Sequence, residues 1–376
     1  MSHFCCYVPN LRFASFDEPL ILCSLQELFN ISAAGDIEKG KVSNIKTDIF
    51  CYPIIGNALT NSGLYGYTDS WKQNNSITVT GRGEIGIAFE RPYKYYPIVR
   101  LLTLKPKGKS DLKYFECLIN SRRILNESTG VPQLTTPQIG KQKYYIVAYE
   151  EQRVIGDLFR KIDERIETQN KIIEKYESLK IGIKESIYLL SKEKEPLEKI
   201  LHEVSEKSTT QNQYPVLSST VKGLFLQNEY FDRSIASDNN IGYKIVHKGQ
   251  IIISPQNLWM GNLTFNDKYE NGIVSPSYKI YDIDQKYSKK YIYWLLTSKR
   301  SFFNYGLVSE QGASIVRRNL SIDAFMGLSI PVVKDRNCES KIEKLIDLIE
   351  KKLETEKKRE SLLNQQKQFL LSNLFI

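Results

Sequence analysis

Gly81-Arg82-Gly83-Glu84-Ile85-Gly86 is the segment of this 376-residue chain that comes nearest to a phosphate motif, because it satisfies Gly-x-Gly-x-x-Gly after a strand-like run. In a dinucleotide fold such glycines open a full helix whose N-terminus receives the pyrophosphate. Pro92 follows Gly86 by only six residues, so that helix has no room. The run is read instead as a tight glycine turn that brings backbone and Arg82 close to a ligand, with a plain hairpin turn as the alternative. Other reaction chemistry finds no cluster to support it. His3, His202 and His247 are far apart and lack cysteine or carboxylate neighbours at ligand spacing, which argues against a zinc site or a histidine-based triad. There is no Walker-type Gly-x-x-x-x-Gly-Lys-Ser/Thr run and no Asn/Asp-Pro-Pro-aromatic motif of the kind base methyltransferases carry. The expectation is a chain that is not an enzyme and holds no cofactor or metal.

Basic and aromatic side chains do interleave: Tyr65-Gly66-Tyr67 with Trp71-Lys72, Arg91-Pro92-Tyr93-Lys94-Tyr95-Tyr96, Gln256-Asn257-Leu258-Trp259, and Arg317-Arg318-Asn319. Lys and Arg suit phosphate contacts, while Arg, Asn and Gln suit base edges. Tyr95 and Tyr96 are assigned to the core, and Arg317-Arg318 to a phosphate-facing surface.

The elements that must carry these clusters are written twice. An apolar seam runs Ile155, Leu158, Ile162, Ile166, Gln169, Ile173, Tyr176, Leu179, Ile183, Ile187, Leu190. A second runs Ile342, Leu345 or Ile346, Ile349, Leu353, Leu363, Leu370, Leu374. Steps of three and four keep one stripe facing a partner helix over many turns. Shifted by 187 positions, Ile155, Leu158, Phe159, Ile162 and Ile166 fall on Ile342, Leu345, Ile346, Ile349 and Leu353. The blocks ahead of the seams correspond as well. Tyr52-Pro53-Ile54 matches Tyr214-Pro215-Val216, Lys113-Tyr114-Phe115 matches Lys290-Tyr291-Ile292, and Gln133-Leu134-Thr135 matches Asn319-Leu320-Ser321. Their collinear order marks an internal repeat.

Within the blocks, Ser76–Thr80, Pro97–Leu104, Gln250–Ser254 and Tyr278–Ile283 read as strands. Short helices are expected at Leu112–Ile119 and Lys289–Leu296, and Pro196 is expected to close the first long helix after a charged, solvated junction at 191–195. The fold class is α+β: two similar mixed α/β domains, 1–149 and 196–336, separated by long helices at 150–195 and 337–376 that pair as an antiparallel coiled coil.

The net charge of +9 is unevenly spread, with an excess of +5 on 1–149, −1 on 150–195, +4 on 196–336 and +1 on 337–376. Polyanion binding therefore belongs to the blocks, and protein contacts to the helices. A tandem protein-interaction scaffold would explain the helices but not this basic excess. Six cysteines without paired spacing suit a reducing cytoplasm. The N-terminus has no basic stretch leading into an apolar one and no run approaches the ~18 apolar residues of a membrane span, so a soluble, cytoplasmic protein is expected.

Together these residues resemble the specificity subunits of type I restriction-modification systems. The resemblance covers nearly the whole chain. It is carried by Val79–Gly86, by Glu151-Gln152-Arg153-Val154-Ile155-Gly156-Asp157-Leu158-Phe159 with Ile162-Asp163, and by Gly312-Ala313-Ser314 with Arg317–Ser321 and Ile330-Pro331. It implies two target recognition domains, each reading half of a split double-stranded DNA site, and two helices that act as a spacer. It also implies partner modification subunits that bind S-adenosylmethionine and methylate adenine, and restriction subunits that cleave. The second block departs from the first, with Ile253–Gly261 in place of the glycine loop, and its helix lacks the Glu-Gln opening. The candidate DNA-binding residues are Tyr65, Tyr67, Lys72, Arg82, Gly83, Arg91 and Lys94 in the first block. In the second they are Lys222, Gln256, Asn257, Trp259, Ser314, Arg317, Arg318 and Asn319.

Overall fold

Ser76–Thr80 alternates hydroxyl and apolar side chains, yet every residue in it is buried. The computed structural model, which describes residues 9–122, 124, 131–191, 193–230, 239–311 and 318–375, shows why. Ile77 and Val79 face a core shared with Phe115 and Leu118. On the opposite face the hydroxyls are satisfied: Ser76 bonds the Tyr95 hydroxyl at 2.7 Å, Thr78 accepts from Arg91 Nε at 3.0 Å, and Thr80 donates to Glu84 O at 2.6 Å. A period of two thus sorts one strand between an oily and a hydrogen-bonded face.

The chain divides into two compact units, Met1–Lys171 with Lys357–Ile376, and Ile172–Glu356. In the first, strands β1 (Phe29–Ala33), β2 (Ser76–Thr80), β3 (Ala88–Arg91) and β4 (Leu101–Pro106) form an antiparallel sheet in the order β1-β4-β2-β3. Helix α1 (Leu112–Asn120) packs on it, and α2 (Thr136–Gly140) follows. A separate ribbon pairs Ile21–Ser24 with Lys143–Ile146. In the second unit β5 (Leu201–Val204), β6 (Ile251–Ile253), β7 (Leu263–Phe265) and β8 (Lys279–Ile283) repeat that order as β5-β8-β6-β7. Helices α3 (Lys289–Leu296) and α4 (Ile322–Met326) occupy the places of α1 and α2. A ribbon of Lys194–Pro196 with Ser329–Pro331 repeats the first. The caps repeat too. Asp111 accepts from Tyr114 N, and Ser288 from Tyr291 N; Thr135 and Ser321 start the short helices.

Long helices run from Tyr149 to Leu190 and from Arg336 to Leu374, their starts 187 positions apart. Within the first unit Phe159 stacks on Phe375 and Asp163 reaches Lys367 at 2.6 Å, so one helix rises as the other falls. Within the second unit Lys180 meets Glu350 at 2.8 Å, and Ile183 and Ile187 share a core with Ile342 and Ile346. Both pairings are antiparallel, as the seams predicted. No helix among the described residues is long and apolar enough to cross a membrane.

Three details differ from the sequence reading. The expected strand at 97–104 is broken, because Tyr96–Pro97 pairs in parallel with Ile54–Ile55 and Arg100 turns at φ 71° before β4 begins. The first long helix ends at Leu190, ahead of Pro196, because 194–196 is captured as a strand and Val332 N bonds Glu193 O. The seam also drifts. Leu179 and Leu345 are exposed while Lys184, Tyr188 and Ile346 are buried, as happens when steps of four replace the strict 3.5 average. The matched Tyr52–Ile55 and Tyr214–Val216 segments diverge, the former a strand and the latter entering only a bridge from Val216 to Ile273.

Candidate nucleic-acid interface

In the first unit the glycine run is the hairpin loop between β2 and β3, closed by Thr80 N to Ile87 O and Gly86 N to Thr80 O. Gly83 and Gly86 take φ of 77° and 82°, which glycine adopts without strain. Asn57 pins the loop from outside. Its Oδ1 accepts from Gly81 N at 2.6 Å and its Nδ2 donates to Arg82 O at 2.8 Å. A β-carbon on Gly81 would stand 2.6 Å from Arg100 O, so glycine is required for the approach of the Arg100 backbone. The result is a cleft of about 320 Å³ lined by both Arg82 and Arg100, with Gln133 and Thr135 on its rim. Gly83 is exposed beside it.

The other first-block candidates gather elsewhere in that unit. Tyr67, Arg91 and Lys94 line a cleft of about 600 Å³ together with Lys46, Tyr52 and Tyr93. Lys94 Nζ lies 4.9 Å from the Trp71 ring centroid and Lys72 Nζ 4.5 Å from that of Tyr96, so two aromatic faces hold two cations near the surface. Tyr65 is exposed. Arg91 is different. It is buried, and its nitrogens donate to Thr78 Oγ1, the Tyr93 hydroxyl and Ser62 O. That guanidinium braces the cleft and leaves little for a ligand. Tyr95 and Tyr96 are core residues, as expected from sequence.

The second unit assembles its candidates from three separated loops. Arg318 N donates to Gln256 O at 3.1 Å, and the Arg318 guanidinium lies 4.3 Å from the Trp259 ring centroid. Lys222 is exposed in the turn joining Leu217–Thr220 to Gly223–Leu226, and neighbouring Val221 borders Gly261, two residues beyond Trp259. Asn319 is exposed on the strand that pairs with Ser309–Gln311. Asn257 O receives Met260 N and Asn262 N, which shapes the loop. Ser314 and Arg317 lie outside the described residues. His202 and His247 serve surface pairs, with Asp284 at 3.3 Å and Glu206 at 2.9 Å.

Arg100 and Asn57 were missed by sequence reading. Arg100 sat inside an apparent strand, and only its left-handed backbone, opposed by Gly81, turns it toward Arg82. Asn57 carried no local signal, since its partners are more than twenty residues away.

Residues 22–178 match the family described as the type I restriction modification DNA specificity domain. That stretch is less than half of the chain, and over it the chain is similar to the family. Two Mycoplasma pneumoniae proteins named as type I specificity subunits are similar to it. One is 29% identical over 136 residues, covering 36% of this chain and 38% of that protein. The other is 24% identical over 184 residues, covering 46% and 54%. The matched stretch thus spans about half of those relatives or less. Among solved structures, the S subunit of a type I restriction-modification system from M. genitalium aligns over 98% of this chain and 99% of its own, with a TM-score of 0.63 and 16% identity. A chain from a study of complex assembly and conformational transition in the type I system aligns over 94% and 97%, with a TM-score of 0.55 and 9% identity. At these identities the likeness is one of fold. The specificity-domain match ends inside the first long helix.

Proposed function

We propose that this chain is the DNA sequence-recognition subunit of a type I restriction-modification complex. Each sheet-bearing unit reads one half of a bipartite double-stranded target, and the long helices set the number of base pairs between the halves. Partner modification subunits, carrying S-adenosylmethionine, methylate adenine at the site so marked, and restriction subunits cleave. The chain itself contributes recognition and no catalytic group, and the complex works in the cytoplasm. One observation carries this reading above the rest. The same four-strand order and the same capped helices recur in both units, but with different loop chemistry, an arginine cleft in one and an arginine on tryptophan in the other. Repeated scaffolds with unlike loops suit two unlike half-sites. Footprinting in the presence of the modification subunits should give two protected patches around an unread gap, and one continuous patch would overturn the reading. Removing two turns from both long helices should shorten the gap and leave the half-sites unchanged.

A further inference from the structure

Arg318 is held more firmly than a charge contact needs. Its backbone N–H is tied to Gln256 O, its guanidinium carbon lies over the Trp259 ring 4.3 Å from the centroid, and Nη1 reaches Gly306 O at a long 3.4 Å. No carboxylate is paired with it among the described residues. A phosphate accepts positive charge from many directions, so a mobile lysine serves it well, whereas stacking on an indole fixes the plane of a donor fork. A fixed planar fork matches a planar pair of acceptors. In the major groove guanine alone offers two on one base, N7 and O6; adenine sets an amino donor beside N7 and would oppose hydrogen to hydrogen.

The surroundings support a ligand here. Among the described residues, Arg318 Nε, Trp259 Nε1 and Asn257 Oδ1 are all buried without a hydrogen-bond partner, three such atoms on two adjoining segments. Buried polar atoms are ordinarily paired, so a cluster of exceptions marks a place whose partners are supplied or rearranged on binding. Exposed Gln256 and Asn319 flank the arginine and offer further amide groups to neighbouring bases. We infer that Arg318, with Trp259 as its platform, reads a guanine in the half-site contacted by the second unit. The inference rests on the DNA-reading function proposed above.

The test uses the full chain with its modification subunits, on the duplex defined by mapping methylated adenines. In the second half-site each guanine is replaced in turn by 7-deazaguanine, which removes the N7 acceptor and keeps base pairing. Wild type should lose about tenfold or more in affinity at one position. Arg318→Ala should bind more weakly and be indifferent to that replacement. Arg318→Lys should keep the salt dependence of wild type yet share the indifference, because it restores the charge without the fork. Trp259→Phe, which keeps a smaller ring, should lie between. Thermal melting of each variant separates misfolding from loss of contact. If Arg318→Lys restores both affinity and sensitivity, or if Arg318→Ala weakens every duplex equally, Arg318 is a phosphate contact and the inference fails. A second half-site without guanine also overturns it. Those outcomes leave the function standing, whereas a wild-type complex with no sequence-selective binding would remove the function itself.

Discussion

Asp111 fills the space beside Gly156 so closely that a β-carbon on that glycine would overlap its carboxylate. Asp111 cannot yield freely, since it caps α1 through Tyr114 N at 2.9 Å and accepts from Arg160 Nη2 at 3.0 Å. Gly156→Ala should therefore cost about 2 to 3 kcal/mol of stability by overpacking and cap loss, despite the better helix propensity of alanine. Gly182 is the control on the same helix, with nothing within 4 Å of an added β-carbon. Gly182→Ala should gain up to about 1 kcal/mol. Melting followed by circular dichroism checks both, and a stable Gly156→Ala would refute the packing account.

Lys184 is buried on the first long helix with Nζ 2.9 Å from Thr297 Oγ1 and 5.1 Å from the Trp294 ring centroid. Burial, with Lys180 nearby, pushes its pKa down to about 7, against the opposing pull of Glu350 and Glu185. A lysine depressed in the folded state is charged in the unfolded chain up to its ordinary value near 10.5. Folding then releases a proton between about 7 and 10.5, so stability should rise with pH across that window and be lowest below it. Lys184→Met should flatten the rise and stabilise the protein at pH 7 by about 1 kcal/mol or more. Urea titrations at pH 6.5, 8 and 9.5 would show it, and parallel pH curves for the two proteins would count against this account.

Asp163 joins three elements of the first unit. Oδ2 lies 2.6 Å from Lys113 Nζ on α1, and Oδ1 lies 2.6 Å from Lys367 Nζ on the second long helix. Burial opposes the charge of Asp163, but bonds from Lys113 and Lys367 outweigh it and hold the pKa below the usual aspartate value. Its contribution is therefore complete above about 4 and fades as pH falls through the folded value. Asp163→Asn should cost about 2 kcal/mol at pH 7, because buried Lys113 keeps Glu116 at 2.6 Å as its remaining partner. At pH 3 the difference between variant and wild type should shrink, and a constant difference would point to packing instead.

Much of the fold was readable because its signals are local. Thr135 and Ser321 lie where capping residues should, Tyr114 and Tyr291 recur at the same place after a cap, and the seams placed the helix pair. The site was less readable because its determinants are distant in sequence. Arg91 looks like a surface cation beside tyrosines, and only the convergence of Ser62, Thr78 and Tyr93 shows it to be a brace. The pairing of Arg318 with Trp259 joins residues 59 apart that carry no shared periodicity. Lys184 interrupts an apolar stripe, and its burial follows from Thr297 and Trp294 on the opposing block.

Arg82 and Arg100 share a cleft whose lining, among the described residues, includes no acidic side chain. Two like charges placed together repel, and the left-handed backbone of Arg100 adds conformational cost, so the free protein gains nothing obvious from the arrangement. A DNA phosphate between them would supply the missing counter-charge. Each arginine should then account for about one unit of the slope of log affinity against log salt. Arg82→Ala and Arg100→Ala should each reduce that slope by about 1 on every duplex, matched or scrambled, and the double variant by about 2. Arg91→Ala should instead lower the melting temperature and change the slope little. Fluorescence anisotropy across a salt series, with the modification subunits present, decides the matter. Unchanged slopes for both arginine variants, with binding intact, would exclude the cleft as a phosphate site.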